Sequence, residues 1–239
     1  MLVVRAAREL WLFLPPRRRR AQFTMPHDGA ASLGHVVQAL GIPLTEVGAL
    51  VVDGVPVNAG NRPPDRAVVE IGPVPRPQRF PDARGFVLDV HLGTLARRLR
   101  ILGIDTDYRN DADDDTLVRE ATEHRRVLLT QDRGLLMRRA VRAGAYVRGR
   151  RPDDQLADVL DRFEPPLHPW SRCTACNGPL TAVGKDEVID RLEPGTRCRY
   201  EDFALCRRCG QVYWHGAHSR RLDPIVDAAR SAVRPRRGT

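Results

Sequence analysis

What the 239-residue chain lacks narrows its reading first. No stretch approaches the ~20 consecutive apolar residues that a membrane-crossing helix needs. The opening MLVVRAARELWLFLPP is interrupted by Arg5, Arg8 and Glu9, so it has no continuous apolar segment of the secretory-signal kind. The expectation is a cytoplasmic protein with no membrane partner. Cysteine is missing from the first 172 residues, and all five cysteines fall between 173 and 209. Lysine is nearly absent: of 39 basic residues, only Lys185 is one. No internal repeat or low-complexity tract interrupts an ordinary composition of 42% hydrophobic and 29% charged residues, which suffices for a packed core.

What is present is positive charge. A net charge of +9 and a pI of 10.1 suit an anionic partner such as nucleic acid. A compositional origin competes, because so extreme a preference for arginine over lysine also follows from a GC-rich genome. The distribution says more than the total. Residues 1–80 carry 10 basic and 6 acidic side chains, residues 81–164 carry 16 of each, and residues 165–239 carry 13 and 8. The flanks supply the excess, and the middle third concentrates aspartate.

The first block, about 1–72, reads as strand, strand, helix, strand, strand. LVVRAA and ELWLFL are short apolar runs. In SLGHVVQALGI, Ser32 is placed as an N-cap and Leu33, Val36, Val37 and Leu40 share a helical face. Asp53-Gly54 is a hairpin turn signal. GPVPRPQRFPDARG, residues 72–85, has a linker composition. Beyond it, FVLD begins a strand–helix alternation that predicts an α/β layer with a mostly parallel sheet. Its first helix places Leu92, Leu95, Leu99 and Leu102 on one face and Arg97, Arg98 and Arg100 on the others, with Gly103 as C-cap.

CTAC at 173–176 and CRRC at 206–209 form two Cys-x-x-Cys pairs. Four thiolates so spaced suit a closed, structural Zn²⁺ site, with Cys173, Cys176, Cys206 and Cys209 as ligands. Asn177, Gly178 and Gly210 follow the knuckles where unusual backbone angles are needed. Two disulfides, disfavoured in a reducing compartment, and a redox pair, which would need only one of the motifs, are the alternatives. Cys198 is left as an ordinary thiol, and His215 and His218 are alternative ligands or surface histidines. Tyr213 and Trp214 stand near Arg220 and Arg221, either as the core of the ribbon or as a base-stacking platform.

Aspartates mark a second site. In a parallel α/β sheet, ligands gather beyond the carboxyl ends of the strands. Asp89 ends one predicted strand, Asp132 follows the strand VLLT, and Asp113 and Asp114 begin a helix on the same edge. Converging carboxylates favour Mg²⁺ or Mn²⁺ between them, an arrangement suited to phosphodiester hydrolysis. Taken singly, each has a simpler explanation: Asp113 or Asp114 as a helix cap, Asp105, Asp107, Asp111 and Asp115 as solvated acids, Asp153 and Asp154 as a cap behind Pro152. Arg133 either steadies Asp132 or meets a phosphate.

The ordered segments FVLDVHLGTLARRLRILGIDTDY, DDDTLVREATEHRRVLLTQDRGLL, SRCTACNGPL and CRRCGQVYWHGAH resemble the Mut-seven C-terminal RNase domain, over residues 85 to about 222. FLPPRRR, LGIPLTEVG and VVDGVPV resemble the ubiquitin-like β-grasp domain often fused ahead of it. The resemblance implies a β-grasp domain at 1–75, a linker at 76–84, a PIN-like nuclease domain at 85–164, a zinc ribbon at 165–225 and a basic tail at 226–239. It implies Asp89, Asp114 and Asp132 as the Mg²⁺- or Mn²⁺-binding catalytic acids. Arg97, Arg98 and Arg133 become candidate substrate-binding residues. The chain departs from the pattern at Gln131, where arginine is usual, and at Val90, where glycine or glutamate is commoner, leaving His91 as a substitute ligand. The β-grasp block also resembles small sulfur carriers, but it runs on as EIGPVPRPQRF without their terminal diglycine. A protein, ribosomal or RNA docking role is expected for it instead. The expected function is a metal-dependent ribonuclease, with a non-catalytic RNA- or ribosome-binding adaptor as the alternative.

Overall fold

The computed structural model describes residues 1–214, 216 and 222–233. At the N-terminus, β1 (Leu2–Ala6), β2 (Phe23–Met25), α1 (Leu33–Ala39), β3 (Val47–Val52), β4 (Val55–Val57) and β5 (Val68–Pro73) form one unit. Its sheet has the order β2-β1-β5-β3-β4, with β1 and β5 parallel and every other pair antiparallel. Alternation along β1 turns Leu2, Val4 and Ala6 into the core. Ser32 caps α1 by accepting from the His35 N–H at 3.3 Å. Val36 and Val37 then pack on the sheet.

The expected second strand at ELWLFL is corrected here. Residues 8–10 form a 3₁₀ turn, and Leu10, Phe13 and Leu14 plug the core at helical rather than alternating spacing. The Trp11 indole N–H donates to the Ala6 carbonyl at 3.0 Å, folding the run back on β1. The strand that pairs with β1 lies further on, after the arginine run.

The middle unit contains β6 (Phe86–Leu88), α2 (Gly93–Ile101), β7 (Thr106–Tyr108), α3 (Asp114–Glu123), β8 (Val127–Thr130), α4 (Arg133–Leu136), β9 (Gly144–Tyr146) and α5 (Pro152–Phe163). All of its strand pairs are parallel, in the order β7-β6-β8-β9. β6 and β8 are buried on both faces, which is why they read as unbroken apolar runs. Leu92, Leu95, Leu99 and Leu102 are buried as their spacing predicts. Arg100, expected on a polar face, is buried too, because it lies one turn beyond Ala96 at the margin of the apolar stripe. Gly103 is required: its φ is +78°, and a Cβ there would meet the His168 carbonyl oxygen at 1.9 Å.

The third unit is an antiparallel sheet of β10 (Leu180–Val183), β11 (Phe203–Cys206) and β12 (Val212–Trp214). Short helices α6 (Lys185–Val188) and α7 (Pro194–Arg199) lie between its first two strands. The chain then returns to the middle unit. Residues expected within a basic tail belong to a helix, α8 (Asp223–Val233), which buries Val226 and Ala229 in the α/β core. Leu222, Ile225, Val226, Ala229 and Val233 recur every three or four residues, and that amphipathic period decides the outcome.

The linker is strapped down rather than free. Arg76 pairs with Asp158 and Asp161 of α5, both at 2.7 Å. The N-terminal and middle units meet at a buried ion pair, in which Arg162 donates to both Glu46 carboxylate oxygens at 2.8 and 3.0 Å. The Tyr146 N–H and the Gln78 side chain complete the network. Among the described residues no helix is long and apolar enough to cross a membrane.

Candidate active site and metal centre

The strand order fixes where a ligand site can form. From β6 the chain first moves outward to β7, then crosses to the other side for β8 and β9. The switch in direction leaves a crevice beyond the carboxyl ends of β6 and β8, the position at which open α/β sheets take ligands. Asp89 follows β6 and Asp132 follows β8, so the two acids flank that crevice.

Thr130 ties them together. Its buried hydroxyl donates to Asp89 Oδ2 at 2.6 Å and accepts from the Asp132 N–H at 2.8 Å. The Asp89 N–H donates to the Leu129 carbonyl at 3.1 Å, so backbone and side chain both fix Asp89 on β8. Asp132 caps α4 through Oδ1, which accepts from Gly134 at 2.7 Å and Leu135 at 3.4 Å. The cap reading and the site reading of Asp132 are therefore compatible, since Oδ2 takes no hydrogen bond among the described residues. Asp89 Oδ1 is in the same condition. Two edge carboxylates, Asp89 buried and Asp132 exposed, each with one uncommitted oxygen, are a donor set that fits a hard divalent cation.

The other predicted residues are placed differently. Asp113 is the N-cap of α3, accepting from Thr116 at 2.7 Å. Asp114 stands exposed in the first turn, 3.9 Å from Arg138, which also pairs with Asp115. Within the described residues the three aspartates do not form a tight ligand cluster; only the four cysteines bring three or more ligand atoms within 4.8 Å of one another. Arg97 is exposed on α2, whereas Arg98 is committed to Asp153 at 2.6 Å. Arg133 donates to the carbonyl groups of Leu12 and Phe13 and stacks on the Phe13 ring at 5.3 Å. It thus holds the N-terminal unit where a phosphate contact was expected. Gln131 bridges to the carbonyls of Val147 and Gly149, and His91 is exposed.

The cysteine centre is built as its spacing predicts. Cys173 and Cys209 sulfurs lie 3.6 Å apart, and those of Cys176 and Cys206 lie 3.4 Å apart. A tetrahedron with Zn–S bonds of ~2.3 Å spaces its sulfurs by about 3.8 Å, so the quartet fits Zn²⁺. Asn177 and Gly210 take the left-handed angles expected of them, with φ of +66° and +77°. Burial opposes ionisation of the Cys173 thiol, yet the Tyr213 hydroxyl and backbone N–H groups bring it down to about 7. Burial and the neighbouring thiols push Cys176 up to about 12. Four crowded sulfurs cannot all ionise without a cation among them. Cys198 is exposed and outside the quartet.

Tyr213 and Trp214 divide the two roles considered for them. Tyr213 is half-buried, with its hydroxyl 3.1 Å from the Cys173 sulfur, while Trp214 is 39% exposed. His215, His218, Arg220 and Arg221 lie outside the described residues.

Sequence reasoning missed the joint between the centre and the α/β unit. Arg100 donates to the carbonyls of Thr106, Thr174 and Ala175 at 2.9 to 3.1 Å, gripping the first knuckle. Asp105, expected as a solvated acid, pairs with Arg126 at 2.6 Å and Arg172 at 2.9 Å and accepts from Asn177 at 2.9 Å. The one available signal was Arg100 falling four residues after a core alanine.

Comparison with family models agrees with this architecture. Residues 84–226 match the Mut7-C RNAse domain and residues 1–79 the Mut7-C ubiquitin domain. The chain belongs to the Mut7-C RNAse domain family, with the family's ubiquitin-like domain at its N-terminus. Comparison with curated proteins and with solved structures gives no match.

Proposed function

We propose that the chain is a metal-dependent, PIN-like ribonuclease that hydrolyses RNA phosphodiester bonds at the Asp89–Asp132 edge. The observation that carries the reading is the pair of aspartates on adjacent parallel strands at the switch point, joined through Thr130. Asp89 and Asp132, with Asp114 from α3, would hold one or two Mg²⁺ or Mn²⁺ ions. A divalent cation there supplies Lewis acidity toward water and toward the phosphodiester oxygens. Thr130 orients Asp89, and its acceptance from the Asp132 N–H fixes the spacing of the two strand ends. Arg97 offers an exposed cation for the RNA backbone. Water attacks phosphorus, and the bond to the leaving sugar oxygen breaks. The cysteine quartet takes Zn²⁺ in a structural role, since four protein ligands leave no open position. A reducing cytoplasm, where thiols stay unpaired, is the compartment proposed for such a site.

The test is degradation of single-stranded and structured RNA in Mn²⁺ or Mg²⁺. Asp132→Asn should lower the rate at least ~100-fold, the order expected when a charge-stabilising group is removed. Undiminished cleavage by that variant would overturn the assignment.

A second reading, an RNA- or ribosome-binding adaptor without turnover, is favoured by one observation: Asp114 is engaged by Arg138. The adaptor would bind RNA with a steep salt dependence and show no Mn²⁺-dependent loss of substrate.

A further inference from the structure

We infer that the arginine run Arg17–Arg20 of the N-terminal domain, with Arg150, exposed four residues beyond β9 of the middle domain, forms the RNA-backbone wall of the same site. The substrate would then be held by both domains at once. The inference rests on the ribonuclease reading for its substrate class, but not on turnover.

Three contacts bring the run to the site edge. Arg133, the neighbour of Asp132, donates to the Leu12 and Phe13 carbonyls at 2.6 and 3.2 Å. The Phe13 ring meets Tyr146, at the end of β9, edge-on at 5.2 Å. Arg148, just beyond β9, donates to the Glu9 carbonyl at 3.3 Å. Every anchor on the middle domain lies at the carboxyl end of β8 or β9, the edge that carries Asp89 and Asp132. Arg17 follows Phe13 by four residues, so the run begins within ~15 Å of the anchor.

The run is also built rather than loose. Pro15 and Pro16 open a 3₁₀ turn at residues 16–18. The Arg19 Nε donates to the Leu14 carbonyl at 3.0 Å, and the Arg18 guanidinium lies 5.7 Å from the Phe23 ring centre. Arg17, Arg19 and Arg20 are exposed. Among the described residues no carboxylate pairs with any of the four, and none pairs with Arg150. Elsewhere Arg76, Arg98, Arg126, Arg138, Arg162 and Arg172 each have an acid. Unneutralised like charges held together repel, and a repeating anion relieves the repulsion. Beside a phosphodiester-cleaving edge, the anion of that form is the RNA backbone.

The test uses the full chain without added Mg²⁺ or Mn²⁺. Fluorescence anisotropy reads binding of a labelled single-stranded oligoribonucleotide across a salt series. The variant Arg17→Ala/Arg19→Ala/Arg20→Ala is compared with Arg84→Ala/Arg125→Ala/Arg142→Ala. The second set removes equal charge from exposed positions preceding β6, β8 and β9, on the opposite edge. The run variant should bind roughly 10-fold or more weakly at low salt, with a log–log salt slope shallower by about 2, as three phosphate contacts require. The opposite-edge variant should keep the wild-type slope. Equal slopes in all three proteins, or equal losses in the two variants, would overturn the inference. So would unchanged RNA binding with lost binding to polyglutamate or to phosphatidylglycerol vesicles, because the run would then face another anion. If the run governs RNA binding while no RNA is cleaved, this inference stands and the ribonuclease reading falls. If cleavage depends on Asp132 while the run is neutral for binding, the reverse holds.

Discussion

Asp105 illustrates how one carboxylate can join two units. Burial opposes its ionisation, but Arg126, Asn177 and Arg172 outweigh burial and hold the carboxyl below its ordinary value. A folded value below the unfolded one, about 3.9, means that the stabilisation is complete above roughly pH 4 and fades as pH falls through the folded value. Asp105→Asn should therefore lower the melting temperature at neutral pH. The gap to wild type should close in acid, as read by thermal melts over a pH series; a gap independent of pH would refute the role. Asp105 was not legible in sequence, where it sits among five other acids of a loop-rich stretch and its partners are 21 and 67 residues away. The placement of Asp89 and Asp132 beyond the ends of β6 and β8 was legible because each follows an apolar run. Thr130, whose hydroxyl connects them, was not, since a threonine ending a strand is common for reasons of β propensity alone.

At the level of elements, regular periods carried most of the information. The α2 stripe, the Ser32 cap and the two Cys-x-x-Cys knuckles all form as their spacing predicts. ELWLFL misled because six residues of mixed apolar and charged type satisfy both a strand and a tight helical turn, and the fold back onto Ala6 chose the turn. The α8 stripe misled in the other sense, because the arginine-rich sequence RPRRGT that follows it set the composition of the whole segment. The ribbon itself has a thin core of Val188, Leu192, Phe203, Leu205 and Val212. Zn²⁺ held by the four cysteines would then supply much of its folding free energy. Chelation should raise hydrogen exchange throughout β10, β11 and β12 while β6 and β8 stay protected. Cys176, near 12 without an ion, must lose its proton to ligate, so zinc affinity should fall as pH falls. A ribbon that stays protected after complete zinc removal would contradict this.

On the scale of the whole molecule, the N-terminal domain is anchored to the carboxyl edge of the middle sheet rather than loosely tethered. The Glu46–Arg162 pair is almost fully buried, and removing one partner leaves an uncompensated charge. Glu46→Ala should cost about 3–5 kcal/mol, read by denaturant unfolding, whereas paired replacement of Glu46 and Arg162 by apolar residues should cost less. An exposed-pair cost below about 1 kcal/mol for the single variant would mean that the domains are held elsewhere. The division into three units was visible as changes of composition; the interface between the first two was not, because Glu46 and Arg162 stand 116 residues apart and each reads singly as a surface charge.

The central claim, that Asp89 and Asp132 form a divalent-cation site at the sheet's switch point, is tested most directly by anomalous scattering from Mn²⁺-soaked crystals. The account predicts a manganese peak within about 2.1 Å of an oxygen of each carboxylate, as hard-cation coordination requires, lost in Asp132→Asn. Contradiction would be a saturating soak that leaves Asp89 bound only to Thr130 and places no manganese between the strand ends.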